Sequence, residues 1–204
     1  MLLEEFKNQC INNKPDIVVQ KYLIENDAYF FKEISGDEEF EFKKDIALLL
    51  DVHIRDIAIV GSGKLGFSLK PEKDVPGLYL FKEFDYKFNL SETNEKSDLD
   101  IAVISSSLFD KEIKNLYNHT HYYAKQYIWD KDERISLAIY VLKGRLATRF
   151  LPIGFPLTDE IKNAQEKYQM LFGRKVNLEI YKSWHFFETY HQENIKNIQV
   201  NLIS

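Results

Sequence analysis

IAIVGSGKLG, residues 57–66, runs an apolar stretch directly into a glycine-rich turn. The turn, Gly61-Ser62-Gly63-Lys64-Leu65-Gly66, fits G-x-G-x-x-G letter for letter, and several phosphate-holding arrangements begin this way. A dinucleotide-binding turn needs a helix of several turns behind it, so that the helix dipole and first amides face a pyrophosphate. Here Pro71 follows Gly66 by five residues, and proline is poorly tolerated inside a helix. The acidic residue such a turn uses ~20 positions further on has only Glu83 or Asp85 to supply it, both in a polar stretch and not at a strand end. A P-loop requires G-x-x-x-x-G-K-[ST]. Gly61, Gly66 and Ser68 have that spacing, but Phe67 holds the lysine position and the nearest ammonium, Lys64, lies inside the loop.

A distant stretch chooses a third reading. Ser97-Asp98-Leu99-Asp100 leads into Ile101-Ala102-Val103-Ile104, a strand pattern. Carboxylates two residues apart on a strand point to one face. At a strand mouth they repel unless a cation lies between them, and hard oxygen ligands suit Mg²⁺ or Mn²⁺. Alone, a D-x-D pair is more often an ordinary strand entry. Beside a glycine-serine turn that ends a preceding strand, it forms a surface suited to both metal and phosphate.

Gly61-Ser62 after one strand and Asp98-x-Asp100 heading the next resemble the DNA polymerase beta superfamily of nucleotidyltransferases. The fuller loop, Gly61-Ser62-x-Lys64-x-Gly66, is similar to that of bacterial cyclic-oligonucleotide synthases and related defence or toxin–antitoxin enzymes. The resemblance covers about residues 56–104. It implies an α/β (α+β) nucleotidyltransferase fold, a small mixed sheet packed against helices, with N-terminal and C-terminal helical segments. It implies transfer of a nucleoside monophosphate from an NTP or dNTP to a hydroxyl of a nucleic-acid end, another nucleotide or a protein side chain. Two Mg²⁺ or Mn²⁺ ions, held by Asp98, Asp100 and a third carboxylate, would serve the reaction. Glu179 is the candidate for that third position, although aspartate is usual there and an exposed edge-strand glutamate is the plain alternative. Gly61, Ser62, Lys64 and Gly66 would cradle the phosphates. The resemblance further suggests anti-phage defence or a toxin–antitoxin setting. The alternative is a catalytically inactive module of the same fold that binds nucleotide or protein. Asp98 lies 37 residues beyond Gly61, longer than the family's usual connection, so residues 70–97 are expected to loop out as an insertion.

The rest of the chain supplies the frame. Its 204 residues, 45% hydrophobic and 29% charged, suit one domain with three parts: N-terminal helices over 1–55, the motif region over 56–104, and helices with a third strand over 105–204. Leu2, Leu3, Phe6 and Cys10 fall near helical spacing, Pro15 interrupts, and residues 38–50 present Phe42, Ile46, Leu49 and Leu50 on one face. Helices are expected over 109–129 and 132–146, and another from Thr158, its N-cap, to Gly173. Val176-Asn177-Leu178-Glu179-Ile180-Tyr181 alternates as a strand, and a last helix runs from Ser183 to about Asn197. Arg145 and Arg149, one helical turn apart, read as a phosphate site or, more simply, as cations at a helix end. The aromatic block from Tyr79 to Phe88 reads as a base-stacking surface or as packing for the insertion. His119 and His121 do not share a helix face, and no zinc site is expected from them.

The single Cys10 forms no internal disulfide and excludes a cysteine-cluster metal site. A net charge of −5 argues against a protein that simply coats nucleic acid, while leaving room for a local patch that meets a short single strand. No apolar run approaches a membrane span, and the first residues lack signal-peptide order. A cytoplasmic protein, as a homo-oligomer or with a protein partner, is the expectation.

Overall fold

The structure is a computed structural model that describes residues 3–75 and 77–203. The chain starts with α1 (Leu3–Asn12) and α2 (Pro15–Val18), the latter continuing into wider π-type turns at Val19–Glu25 and again at Phe30–Ser35. Pro15 stands at the first helical position, where its missing N–H costs nothing. Leu2, expected on the face of α1, lies outside the described residues. Helix α3 (Glu39–Leu50) buries Phe42, Ile46, Ala47 and Leu50, close to the expected face.

The sheet has four strands in the order β1-β2-β4-β3: β1 (Ile57–Val60), β2 (Leu99–Ile104), β3 (Arg145–Leu146) and β4 (Val176–Tyr181). Strand β1 runs antiparallel to β2, β2 parallel to β4, and β4 antiparallel to β3. Between these lie the single-turn helices α4 (Ser62–Leu65) and α5 (Tyr86–Asn89), then α6 (Ser106–His119), α7 (Lys131–Leu142) and α8 (Asp159–Phe172), with α9 (Trp184–Ile203) last. The mixed α and β content and small mixed sheet agree with the expected fold class. Among the described residues no helix is long and apolar enough to cross a membrane.

Strand alternation splits the sheet into two unlike faces. Ile57, Ile59, Leu99, Ile101, Val103, Val176, Leu178, Ile180 and Leu146 point to one side and form the main core with residues of α3, α6, α7 and α8. The register sets Val60 opposite Asp100, Asp100 opposite Asn177, Ala102 opposite Glu179, and Arg145 opposite Tyr181. The second face therefore carries polar residues at one end and apolar residues at the other. Ala58, Val60, Ala102, Ile104 and Tyr181 pack there with Phe187 of α9. Helix α9 packs on that face and leaves Asp98 exposed and Asp100 half-buried at its far end.

Two helix ends are corrected. The helix expected over 109–129 stops at His119, where the Thr120 hydroxyl donates back to the Leu116 carbonyl at 2.9 Å. The chain then takes left-handed backbone at His121, Tyr122 and Tyr123. The helix expected over 132–146 stops at Leu142, because Gly144, with φ +65°, turns the chain against the Phe186 ring where a Cβ would have no room. Arg145 consequently lies on a strand. Thr158 and Gly173 hold the N-cap and C-cap positions of α8, as expected, with no side-chain cap bond from Thr158; Glu112, fully buried on α6, accepts from the Thr158 amide at 3.3 Å.

Candidate functional site

The open end of the second sheet face gathers the residues that the two motifs carry. Gly61 ends β1 with φ +67° and ψ −150°, a conformation essentially restricted to glycine. A Cβ built there would sit 3.2 Å from Asp100 Oδ2, so the turn's backbone runs directly beside that carboxylate. Ser62 follows and faces the same cleft as Asp98 and Asp100. Asp98 is exposed and Asp100 half-buried.

Between the two carboxylates stands Asn177. Its side-chain amide donates to Asp98 Oδ2 at 3.0 Å and to Asp100 Oδ1 at 2.8 Å. One nitrogen thus holds an oxygen of each acid close together, and the Lys175 ammonium lies 3.8 Å from Asp98. The two carboxylates are thus brought together with the Asn177 amide nitrogen between them. Asn177 was missed in the sequence because it is no carboxylate. The signal was present: it shares the face of Glu179 two positions earlier on an alternating strand.

Glu179 faces away from Val176, Leu178 and Ile180, as its position predicted, but it is neither exposed nor on an edge. Strand β4 is interior, and Glu179 is 4% exposed. Its carboxylate is held by two guanidinium groups, Arg145 through Nη2 to Oε2 and Arg149 through Nη1 to Oε1 at 3.4 Å. Arg145 and Arg149 are therefore ion-pair partners of a strand residue and not helix caps. Arg145 is itself boxed by rings, 4.9 Å from Tyr140, 5.6 Å from Tyr181 and 4.5 Å from Tyr190. Glu179 sits one diagonal step from Asp100 on the same face, a spacing of roughly 7–8 Å between positions. Among the described residues no three His, Cys, Asp or Glu side chains converge as a ready metal-ligand set.

Lys64 lies away from the carboxylates. The single turn of α4 carries it to the other side, where it is 3% exposed and its ammonium donates to the Asn26 carbonyl, in a separate pocket near Lys21, Lys32 and Glu33. Burial pulls its pKa down to about 8, against the opposing pull of Glu39. Gly66 closes α4 and packs on the Tyr29 ring. Of the expected phosphate cradle, only Gly61 and Ser62 adjoin the acids.

The insertion over 70–97 folds back instead of looping out. The Ser68 amide donates to the Lys82 carbonyl and the Phe84 amide to the Gly66 carbonyl, each at 2.8 Å, while Phe81 and Phe84 are buried. Arg174, just before β4, clamps it. Its guanidinium grips Asp85 through two bonds of 3.1 and 3.0 Å and the Ser97 carbonyl at 2.9 Å, between the rings of Phe30 and Phe84. Asp85 in turn accepts from the Ser97 amide at 2.7 Å. The clamp ends one residue before Asp98, and no local sequence signal marks it.

Folded this way, the insertion walls a cleft of about 490 Å³ that opens onto Ser62, Asp98 and Asp100. Lys70, Lys82, Lys87 and Lys96 line it, with the half-exposed rings of Tyr86 and Phe88. Lys82 pairs with Glu72 at 2.7 Å, and among the described residues Lys70 and Lys87 have no ion-pair partner. The aromatic block thus divides its work: Phe81 and Phe84 pack, while Tyr86 and Phe88 face the cleft. A smaller pocket of about 130 Å³ lies on the other side of Asp100, against Arg145, Arg149 and Glu179.

Comparison of the chain with family models, with curated proteins and with solved structures returns no match.

Proposed function

We propose that the chain is a metal-dependent nucleotidyltransferase, moving a nucleoside monophosphate from an NTP or dNTP to a hydroxyl acceptor. The observation that carries this reading is the convergence of Asp98 and Asp100, beside the Gly61 turn, at the mouth of a lysine-lined cleft. Charge makes a cation necessary there. Four lysines face five acids in the cleft lining, Glu83, Glu92, Glu95, Asp98 and Asp100, so a triphosphate enters favourably only together with divalent metal.

A cation on Asp98 and Asp100 supplies charge neutralisation and a lowered pKa for an attacking hydroxyl. The chain's own residues do the positioning. Ser62 donates to a phosphate oxygen, and the Gly61 backbone lets the phosphates approach. Lys70 and Lys87 hold the phosphate chain as mobile point charges. Tyr86 and Phe88 offer ring faces to a base. The chemistry is then positioning and electrostatics, without a covalent enzyme intermediate.

A second reading, a nucleotide-binding module without transfer activity, is favoured by one observation: both oxygens of Glu179 are taken by arginines. Two measurements separate the readings. The protein is incubated with labelled NTPs and dNTPs and Mg²⁺ or Mn²⁺, against an Asp98→Ala/Asp100→Ala control, and products are resolved as protein-bound label, linear oligomers or cyclic species. Binding of a non-hydrolysable NTP with Mg²⁺ is measured by calorimetry. Metal-dependent product lost in the control supports transfer, and binding without product supports the module. Neither binding nor product would sink both readings.

A further inference from the structure

We propose that the groove between α6 and α7 is a binding site for a small apolar carboxylate, an aromatic or aliphatic body that carries a single negative charge. The groove arises because two helix faces meet without closing. Helix α6 presents Ile113, Leu116 and Tyr117, at i, i+3 and i+4. Helix α7 presents Arg134, Leu137, Ala138 and Val141, at i, i+3, i+4 and i+7. Trp129 also lines the groove and is fixed by its indole N–H, which donates to the Phe150 carbonyl at 2.8 Å. The space between them is about 330 Å³. That falls within the ~300–1,000 Å³ of small-molecule sites, which are mostly apolar with a few polar groups. No lining residue is shared with the lysine-lined cleft or with the pocket beside Glu179.

One cation selects the ligand. Arg134 is the one charged residue of the lining, it is half-buried, and among the described residues it forms no ion pair. Its Nη1 donates to the Gln126 side-chain oxygen at 2.8 Å and to the Tyr123 hydroxyl at 3.5 Å, both neutral groups. Asp130, one turn back, gives a carboxylate oxygen to the Asp132 and Glu133 amides instead, at 2.8 and 3.0 Å. A guanidinium fork matches the two oxygens of a carboxylate. In an apolar lining one cation balances one negative charge, so a monoanion is favoured over a doubly charged phosphate. The rim of the groove is held at a cost. His121, Tyr122 and Tyr123 are all left-handed, at φ +49°, +60° and +66°. Bulky residues rarely take that conformation, and it clusters where a ligand is clamped. The turn brings Tyr123 to the groove and its hydroxyl to Arg134. The apolar body of the ligand then lies between the two helix faces, with its carboxylate at Arg134.

None of this depends on the transferase reading, and the test leaves Asp98 and Asp100 untouched. The full chain is titrated by calorimetry with naphthalene-1-carboxylate and, in a second arm, with octanoate, each against its uncharged amide. Wild-type protein is compared with Arg134→Gln and Ala138→Phe. Ala138 is exposed, so phenylalanine there fills the groove without entering the core. Wild-type protein is expected to bind at least one of the carboxylates saturably, about tenfold or more tighter than its amide. Arg134→Gln should remove that preference and keep the amide affinity, and Ala138→Phe should weaken both about tenfold or more. Binding in the naphthalene arm alone identifies an aromatic acid, binding in the octanoate arm alone an aliphatic one, and binding in both a site that reads only charge and apolar surface. No saturable binding in either arm would leave the groove to a protein partner or to solvent and would overturn the proposal. Equal affinity for acid and amide in the wild type, a preference that survives Arg134→Gln, or binding unchanged in Ala138→Phe would each overturn it as well.

Discussion

Replacing Lys64 with methionine should stabilise the protein and leave the candidate nucleotide cleft intact. Lys64 is 3% exposed, and its ammonium is met by one backbone carbonyl, from Asn26, in a pocket apart from Asp98 and Asp100. Burial lowers its pKa from the usual 10.5 to about 8. At about 1.4 kcal/mol per pKa unit, keeping this lysine charged inside the fold costs roughly 3 kcal/mol near neutral pH. Methionine has a similar length and needs no solvation, so Lys64→Met should recover up to about 3 kcal/mol, or roughly 6–12 °C in Tm for a chain of this size. The pH dependence carries the same signature. Below about pH 8 the lysine is protonated both folded and unfolded, and the cost is constant. Between about pH 8 and 10.5 the folded state releases the proton while the unfolded chain keeps it, so wild-type stability rises relative to the variant. Above that window the two converge. Urea unfolding of both proteins from pH 6 to 11, with Mg²⁺–nucleotide binding as a second readout, measures this. A variant destabilised by more than about 1 kcal/mol at pH 7, or one that loses nucleotide binding as Asp98→Ala/Asp100→Ala does, would refute the reasoning and return Lys64 to the phosphate side.

Two further outcomes follow from buried charge. Arg174→Met leaves Asp85 buried without its guanidinium. It should cost about 3–5 kcal/mol, and hydrogen exchange should show lost protection over residues 84–97 before the sheet opens. His191 is buried among Arg145, Tyr181, Tyr190 and Phe187, and burial first, then Arg145, push its pKa from 6.5 down to about 3. The folded state keeps it neutral while the unfolded chain takes a proton below about pH 6.5, so stability falls with acid. Between pH 7.5 and 5 this amounts to about 2 kcal/mol, and His191→Gln should flatten that part of the pH–stability curve.

Much of the sheet is written locally. The bounds of Leu99–Ile104 are legible from an apolar, β-branched run and those of Val176–Tyr181 from period-two alternation, and on a strand the side chain at each position has only one of two faces. The same rule sets Asp98 and Asp100 on one face and turns Glu179 away from Val176, Leu178 and Ile180; the pairing of β2 with β4 brings those faces together. What it could not supply is the partner of each. Arg145 was read as helical because the apolar pattern of α7 continues past its end, and only the left-handed turn at Gly144 converts the next two residues into β3. That turn delivers a guanidinium to Glu179, 34 positions away. Lys64 was misjudged for the opposite reason. A helix of four residues has no pattern to read, yet its rotation alone decides which side an ammonium reaches.

The insertion shows why a motif pair can hold across an unusual gap. A connection of 37 residues between Gly61 and Asp98 would ordinarily loosen their mutual position, because a longer loop holds its ends less tightly. Here the loop is shortened by contacts and not by sequence. The Gly66 carbonyl receives the Phe84 amide, and Asp85 donates its amide to the Ser97 hydroxyl while its carboxylate accepts from the Ser97 amide and from Arg174. In space, the chain leaves the turn at Gly66, is gripped again at Phe84 and Asp85, and is released one residue before Asp98. The residues between serve as the walls of the cleft. The Arg174–Asp85 clamp and the Asp98–Asp100 pair are thus one unit: the clamp sets where β2 begins, and the start of β2 sets where the two carboxylates meet Asn177.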